Sequence, residues 1–133
     1  MKMDSVTVYP SKGFGAVLFD DPRDVVRQKL GTYTEFLKTK SSKNSTDDFG
    51  VLHAYYDEGD KLEAVEFFEG TIFLGDKKVF PNTKRELFLL LKELDSKAIA
   101  TNDAVISRDL CICAYAPSEV VETFLVHRFG YYD

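Results

Sequence analysis

The sequence predicts a single α+β domain, with a central antiparallel sheet and two helices packed on one face. Three observations support this fold class. Two segments have the apolar spacing of amphipathic helices, and several short runs rich in β-branched and aromatic residues lie between turn residues. The chain of 133 residues has the usual length of one domain, so we assign residues 1–133 to one hydrophobic core.

The amino-terminal third predicts two strands followed by a helix. Residues 6–9 alternate apolar and polar side chains, and residues 13–19 form an apolar run that begins with glycines. An Asp-Asp-Pro sequence at residues 20–22 suits the start of a helix, and Gly31 suits its end. The apolar positions between them predict a short amphipathic helix.

The middle of the chain predicts a loop and then a hairpin. Residues 33–37 suit a further helical turn, and the polar residues 38–48 have nothing to bury, so we expect a mobile surface loop there. Residues 49–56 and 62–68 are aromatic-rich runs joined by a turn at residues 57–61 that contains Asp and Gly. This pattern predicts a hairpin with a tight turn.

A second hairpin and a second helix follow. The apolar residues at 71–80 are interrupted by Gly75 and Asp76, which suit a turn. Thr83 and Glu86 fit a capping box at the start of a helix, and the next leucines recur at i, i+3, i+4 and i+7. That leucine stripe predicts a helix face packed against the sheet. The remaining apolar runs end in a strand at residues 120–129.

Some strand sequences recur. Residues 52–55 and 62–65 align with residues 112–115 and 121–124. The match reflects either a duplication or a shared strand composition. A duplication would give two α-then-hairpin pseudo-repeats that share one sheet, with both helices on one side and the opposite face of the sheet open.

Composition and charge narrow the function. A net charge of −5 argues against a nucleic-acid surface, which needs a basic patch to release counterions, and favours a basic partner. Residues 1–5 lack the apolar region of a secretion signal, and no apolar run reaches the length of a membrane span. We therefore expect a cytoplasmic protein that binds neither nucleic acid nor a membrane.

The sequence offers no complete set of catalytic or metal-binding residues. Cys111 and Cys113 are two apart in an apolar run, which is poor geometry for a disulfide and predicts two reduced, buried thiols. The two histidines, His53 and His127, lie in predicted strands, and neither cysteine has the local sequence of a nucleophile. We predict no catalytic residue, no metal site and no cofactor, hence no enzyme.

The first hairpin is the predicted binding site because it combines tyrosines with many carboxylates. This composition is typical of a surface that meets a basic, partly apolar partner. The predicted partner-binding residues are Tyr55, Tyr56, Asp57, Glu58, Asp60, Glu63 and Glu66. The aromatic residues Phe129, Tyr131 and Tyr132 also lie at the end of the chain, which predicts a terminus that is packed rather than frayed.

The layout resembles a known group. A glycine-led strand at residues 13–19, the Asp-Asp-Pro helix at residues 20–31, antiparallel strands, a second helix and a closing Gly-Tyr-Tyr-Asp at residues 130–133 are similar to small bacterial immunity proteins, the cognate inhibitors of polymorphic or contact-dependent toxins. The resemblance implies a non-catalytic inhibitor that covers the active site of one toxin or a surface beside it. The acidic hairpin would fit a basic nuclease toxin.

Two alternatives remain open. A small-molecule or enzymatic domain would use the open sheet face with His53, Cys113 and His127. A structural subunit would form a homodimer through an exposed strand edge rather than act as a monomer.

Overall fold

The computed structural model describes residues 5–131, and it confirms the α+β class with two helices and thirteen strands in that range. The helices are α1 (Arg23–Leu30) and α2 (Lys84–Leu94). The strands, in chain order, are β1 (Ser5–Tyr9), β2 (Gly13–Phe14), β3 (Val17–Leu18), β4 (Thr34–Phe36), β5 (Thr46–Asp48), β6 (Leu52–Tyr56), β7 (Leu62–Phe67), β8 (Thr71–Leu74), β9 (Lys77–Phe80), β10 (Ile99–Ala100), β11 (Ala104–Ser107), β12 (Ile112–Tyr115) and β13 (Thr123–His127).

The larger sheet has eight antiparallel strands in the order β10-β11-β12-β13-β7-β6-β5-β4. The predicted hairpin of β6 and β7 lies within it. Each helix is followed in the chain by four of its strands, and the two sets meet where β13 pairs with β7. The internal duplication remains a prediction, because shared topology alone does not establish it.

A second sheet was not predicted. It has five strands in the order β3-β2-β1-β8-β9, and β1 and β8 are parallel. The expectation of one central sheet was therefore incomplete. Ser5 pairs with Thr71 in this sheet. No local turn in the sequence predicts a pairing between segments so far apart.

The predicted loop was partly wrong. Residues 46–48 form β5, and residues 34–36 form β4 instead of a further helical turn. Thr46 and Asp47 are buried, although polar residues in a polar stretch are expected to be exposed. The predicted strand at residues 13–19 is also divided, because Gly15 and Ala16 lie between β2 and β3, which pair as a hairpin.

The predicted helices are confirmed, with one surprise in each. Gly31 ends α1 with φ +93°, but Arg23 is buried on this helix beside Val26. Thr83 caps α2, since its side chain accepts a hydrogen bond from the backbone N–H of Glu86, yet Leu94 of the leucine stripe is exposed. Neither helix is long and apolar enough to cross a bilayer within the described residues.

The main core lies on one face of the eight-stranded sheet. Val26 of α1, Leu87 and Leu91 of α2, and apolar residues of the five-stranded sheet all belong to the same buried cluster. This confirms that both helices pack on one face. We call this side the covered face, and it includes Leu52, Ala54, Val65, Phe67, Val105, Ile112, Ala114, Phe124 and Val126.

The chain terminus is only partly packed. Phe129 is 70% exposed, so the expected burial of the terminal aromatic residues is wrong for this side chain. Tyr131 is half-buried and stacks on His127 with ring centroids 5.4 Å apart. Tyr132 and Asp133 lie outside the described residues.

Candidate binding face

The side of the eight-stranded sheet opposite the helices forms one continuous surface, which we call the open face. Residues paired across antiparallel strands project to the same side, so the register identifies its members. They are Thr34, Phe36, Thr46, Asp48, His53, Tyr55, Ala64, Glu66, Ile99, Ala104, Ile106, Cys113, Tyr115, Thr123, Leu125 and His127. The small cluster on this side contains no residue of either helix or of the five-stranded sheet.

Glu66 lies near the middle of the open face and accepts two hydrogen bonds. The hydroxyl of Tyr55 donates to Oε1 at 2.6 Å, and the hydroxyl of Thr123 donates to Oε2 at 2.7 Å. These bonds join the adjacent strands β6, β7 and β13 at the side-chain level. The carboxylate is therefore fixed in position at the centre of the sheet.

Aromatic and apolar side chains surround this centre. His53 lies between Phe36 and Phe68, with ring centroids 5.2 and 4.4 Å away. Toward the other edge of the sheet, Ile99 and Tyr115 are 51% and 47% exposed. Exposed apolar side chains on a sheet face are typical of an interaction surface.

A shallow cavity of about 240 Å³ opens on this surface. Its walls combine a lysine, two carboxylates, a thiol, hydroxyls and apolar groups, so it offers no dominant charge. The lining residues are Lys38, Glu66, Asp103, Ala104, Cys113, Tyr115, Thr123 and Leu125.

The carboxylates of the predicted acidic hairpin are largely occupied by internal partners. Arg128 lies 3.0 Å from Asp57, 3.4 Å from Glu63 and 2.6 Å from Asp20. Glu58 lies 3.4 Å from the ammonium of Lys43. These ion pairs reduce the net charge that the hairpin presents to a partner.

Two of these carboxyl groups respond to their surroundings in opposite directions. Burial tends to raise the pKa of Asp57, but hydrogen bonds from backbone N–H groups and Arg128 bring that pKa below its usual value. Burial raises the pKa of Glu63, and Arg128 only partly offsets this effect. The register shift between Tyr55 and Tyr56 leaves Glu63 without a partner residue on β6.

The structure separates the two predicted tyrosines. Tyr55 lies on the open face, whereas Tyr56 lies on the covered face and donates from its hydroxyl to Asp47 at 2.9 Å. Asp60 is exposed at the hairpin turn, where its carboxylate contacts Arg23 and Asn44. Of the seven predicted binding residues, only Tyr55 and Glu66 therefore lie together on the open face.

A buried ion cluster beneath α1 was missed by the sequence analysis. Asp47 is fully buried and meets both Arg23 and Arg27. The guanidinium of Arg23 also lies 4.1 Å from the ring centre of Tyr56, and its Nε is 3.3 Å from Asp60 without forming a hydrogen bond. The sequence contains two signs of this cluster. Two arginines lie one turn apart on a predicted helix, and two aspartates are adjacent in the predicted loop.

The ionisation of this cluster follows from its contacts. The hydrogen bond to Asp47 raises the pKa of Arg27 above its ordinary value, so this side chain stays charged. Burial raises the pKa of Tyr56, with Asp47 adding to the effect. The cluster therefore fixes α1 onto β5.

The two histidines differ in their position relative to Cys113, because His127 lies on the adjacent strand β13 whereas His53 lies much farther across the sheet. β13 and β7 lie between the strands that carry Cys113 and His53, which puts about 14 Å between those strands. Both cysteines are free thiols, and burial raises the pKa of Cys111. No group of three or more His, Cys, Asp or Glu side chains within residues 5–131 is arranged to hold a metal ion.

Another cavity, of about 610 Å³, lies beside the start of α2. Two of the polar groups around it have structural partners, since Lys84 donates to the carbonyls of Thr101 and Asn102 and Thr83 caps the helix, and Arg85, Ser118 and Glu119 also line it. Its remaining walls include Phe88 and Ala100.

Comparisons with protein-family models, with curated proteins and with solved structures find no match for this chain. Its function is therefore argued from its own residues. The candidate site is the open face, built around the carboxylate that Tyr55 and Thr123 hold in place, Glu66.

Proposed function

We propose that this protein is a non-catalytic inhibitor that binds one cognate protein through the open face and acts in the bacterial cytoplasm. The immunity-protein resemblance supplies the class of partner, a toxin domain. The observation that carries the proposal is the sheet itself, whose covered face holds both helices while the open face exposes Tyr115 and Ile99 around a fixed carboxylate.

Several physical features support binding over chemistry. Protein interfaces favour aromatic side chains and a buried centre with satisfied polar groups. Glu66 is already satisfied by Tyr55 and Thr123, so covering it leaves no unpaired carboxylate oxygen. A rigid eight-stranded sheet also loses little conformational entropy when a partner docks.

The open face replaces the acidic hairpin as the proposed centre of the interface. The hairpin carboxylates are paired with cations of this chain, so a basic partner would have to compete with those pairs. Glu58 remains the most exposed of the paired carboxylates and serves to test the original prediction. A basic nuclease is one toxin class that this surface would accept.

The test is co-expression with the carboxy-terminal domain of the protein encoded immediately upstream, scored by cell survival and by co-purification. Tyr115→Ser should weaken the complex about tenfold or more, because an exposed tyrosine at an interface centre carries a large share of the affinity. Tyr9→Ser is the matched control, since Tyr9 is 48% exposed on the other sheet.

The outcomes separate the two candidate surfaces. Loss of binding with Tyr115→Ser, together with full binding by Tyr9→Ser, supports the open face. Loss of binding with Glu58→Lys alone would return the interface to the acidic hairpin. No rescue and no complex would refute the inhibitor proposal.

A further inference from the structure

We infer that the free edge of β4 is where the partner adds an extended strand to the eight-stranded sheet. This inference rests on the proposed function and specifies how the partner engages the domain. β4 is the last strand on its side of the sheet, with β5 as its neighbour. The backbone groups of an edge strand that point outward can pair with another chain.

The other three sheet edges carry features that discourage pairing. β3 and β10 are only two residues long, and the backbone N–H of Leu18 in β3 is already bonded to Asp21. β9 presents the exposed lysines Lys77 and Lys78 at its start. Short strands and lysines are the usual means by which proteins protect sheet edges.

β4 is also short, at three residues, but the run of residues 33–37 around it is largely apolar. All three residues of β4 are exposed, and Tyr33, Phe36 and Leu37 are exposed large apolar side chains within five positions. No proline and no lysine interrupts this short run. Such an edge is a template for strand addition.

Internal contacts hold β4 in an extended conformation before any partner arrives. Glu35, its middle residue, accepts from Arg27 at 3.0 Å and from the hydroxyl of Ser45 at 2.6 Å. Arg27 in turn is anchored to the buried Asp47. A pre-ordered strand loses less conformational entropy on binding than a flexible segment does.

The charges near β4 indicate which kind of partner segment would pair with it. Lys38 and Lys40 lie shortly after β4. The ammonium of Lys38 is 4.7 Å from the ring centre of Tyr55, and Lys40 has no ion pair among the described residues. The favoured occupant is therefore an extended segment of the partner, with apolar side chains beside Phe36 and Leu37 and acidic side chains beside the two lysines.

A second copy of this chain fits less well. Antiparallel self-pairing centred on the middle of β4 places Glu35 opposite the Glu35 of the other copy, and like charges directly opposite destabilise strand pairing. Each copy also carries a net charge of −5, which disfavours self-association.

Strand addition would extend both the sheet and the open face. Phe36 belongs to the open face and contacts His53, so an added strand would continue the aromatic row outward from β4. The partner would then contact the edge and the face together. This geometry links the proposed interface to a specific backbone interaction.

The experiment uses the full chain and the same upstream-encoded domain. Hydrogen exchange of the complex should show alternate amides of residues 33–37 exchanging at least about tenfold more slowly than in the free protein, because strand pairing uses alternate backbone groups. Leu37→Lys and Lys40→Glu should each weaken the complex about tenfold. Leu18→Lys and Lys77→Glu, on edges of the other sheet, are the matched controls.

The outcomes distinguish this inference from the function on which it depends. A complex that forms with no added protection at β4 and no effect of either variant overturns strand addition but leaves the inhibitor proposal intact. No complex at all overturns both. A free protein that sediments as a dimer, and becomes a monomer in Leu37→Lys, assigns the edge to a second copy instead.

Discussion

Arg27 donates two hydrogen bonds to the same buried carboxylate, with its Nε 2.7 Å from Oδ2 of Asp47 and its Nη2 2.8 Å from Oδ1. This bidentate pair joins α1 to β5, which lies within the predicted loop. The carboxylate of Asp47 has no exposed surface, so protein donors supply all of its hydrogen bonds. The edge of the eight-stranded sheet therefore depends on a charge pair formed across 20 residues of sequence.

Replacement of Asp47 by Ala should lower the free energy of unfolding by about 3–5 kcal/mol. The substitution leaves two arginines and the Tyr56 hydroxyl without their shared acceptor, and an uncompensated buried charge is strongly destabilising. Denaturant unfolding measures the change. Asp109→Ala, at an exposed ion pair with Lys97, should stay within about 0.5 kcal/mol. Equal effects of the two substitutions would contradict the structural role of Asp47.

His127 should make stability depend on pH near neutrality. Burial lowers the pKa of His127 below its ordinary 6.5, while a hydrogen bond with the backbone of Arg128 partly opposes this effect. The unfolded chain then takes up a proton before the folded protein does, so this stability is fully present above pH 6.5 and is lost as the pH falls toward the lower folded pKa.

The free energy of unfolding should therefore decrease from pH 7.5 to pH 5.5, and less so in His127→Gln. Glu63 acts in the opposite sense, because burial raises its pKa and favours the folded state as it becomes protonated. Comparing the slopes of the two proteins isolates the histidine. Identical slopes would show that His127 does not titrate differently in the folded and unfolded states.

Gly13 should tolerate no side chain. Its φ is +153°, and a Cβ atom added there would lie 2.1 Å from the carbonyl oxygen of Val17. Gly13→Ala should cost about 2–3 kcal/mol in unfolding free energy, because the β2–β3 hairpin must open to relieve the overlap. Gly59→Ala is the control, since its added Cβ would approach only the Asp57 side chain, at 3.4 Å. Comparable losses at both glycines would contradict this explanation.

The two cysteines should differ in reactivity toward a thiol reagent in the native protein. Cys111 is buried, and burial raises its pKa, so little nucleophilic thiolate is present. Cys113 is half-buried on the open face and borders the shallow cavity. Native labelling should survive in Cys111→Ser and disappear in Cys113→Ser. Labelling that persists in Cys113→Ser would show that Cys111 becomes accessible through opening of the fold.

Local patterns predicted the elements that form through local interactions. The Thr83 cap and the leucine spacing identify α2, and the turn residues identify the β6–β7 hairpin, because each depends on residues close in sequence. The parallel pairing of β1 with β8 depends on contacts across the chain, and no spacing reveals it. The second sheet was missed for this reason.

The candidate site was harder to predict because polar residues were interpreted by their composition. Asp47 belongs to a polar stretch, yet the guanidinium groups of Arg23 and Arg27 make its burial favourable. Tyr55 and Tyr56 are neighbours in sequence but project to opposite faces of the sheet, as alternation in a strand requires. The composition of the acidic hairpin likewise does not show that Arg128, far along the chain, forms ion pairs with two of its carboxylates.

The pairing of β13 with β7 has a consequence for biosynthesis. These strands form the centre of the eight-stranded sheet, although residues 62–67 leave the ribosome long before residues 123–127. Until β13 is synthesised, β7 is therefore the edge strand of the part of the sheet formed by β4 to β7. A nascent chain in this state leaves one edge of the six-residue strand β7 unpaired, which makes it a substrate for chaperones and vulnerable to aggregation.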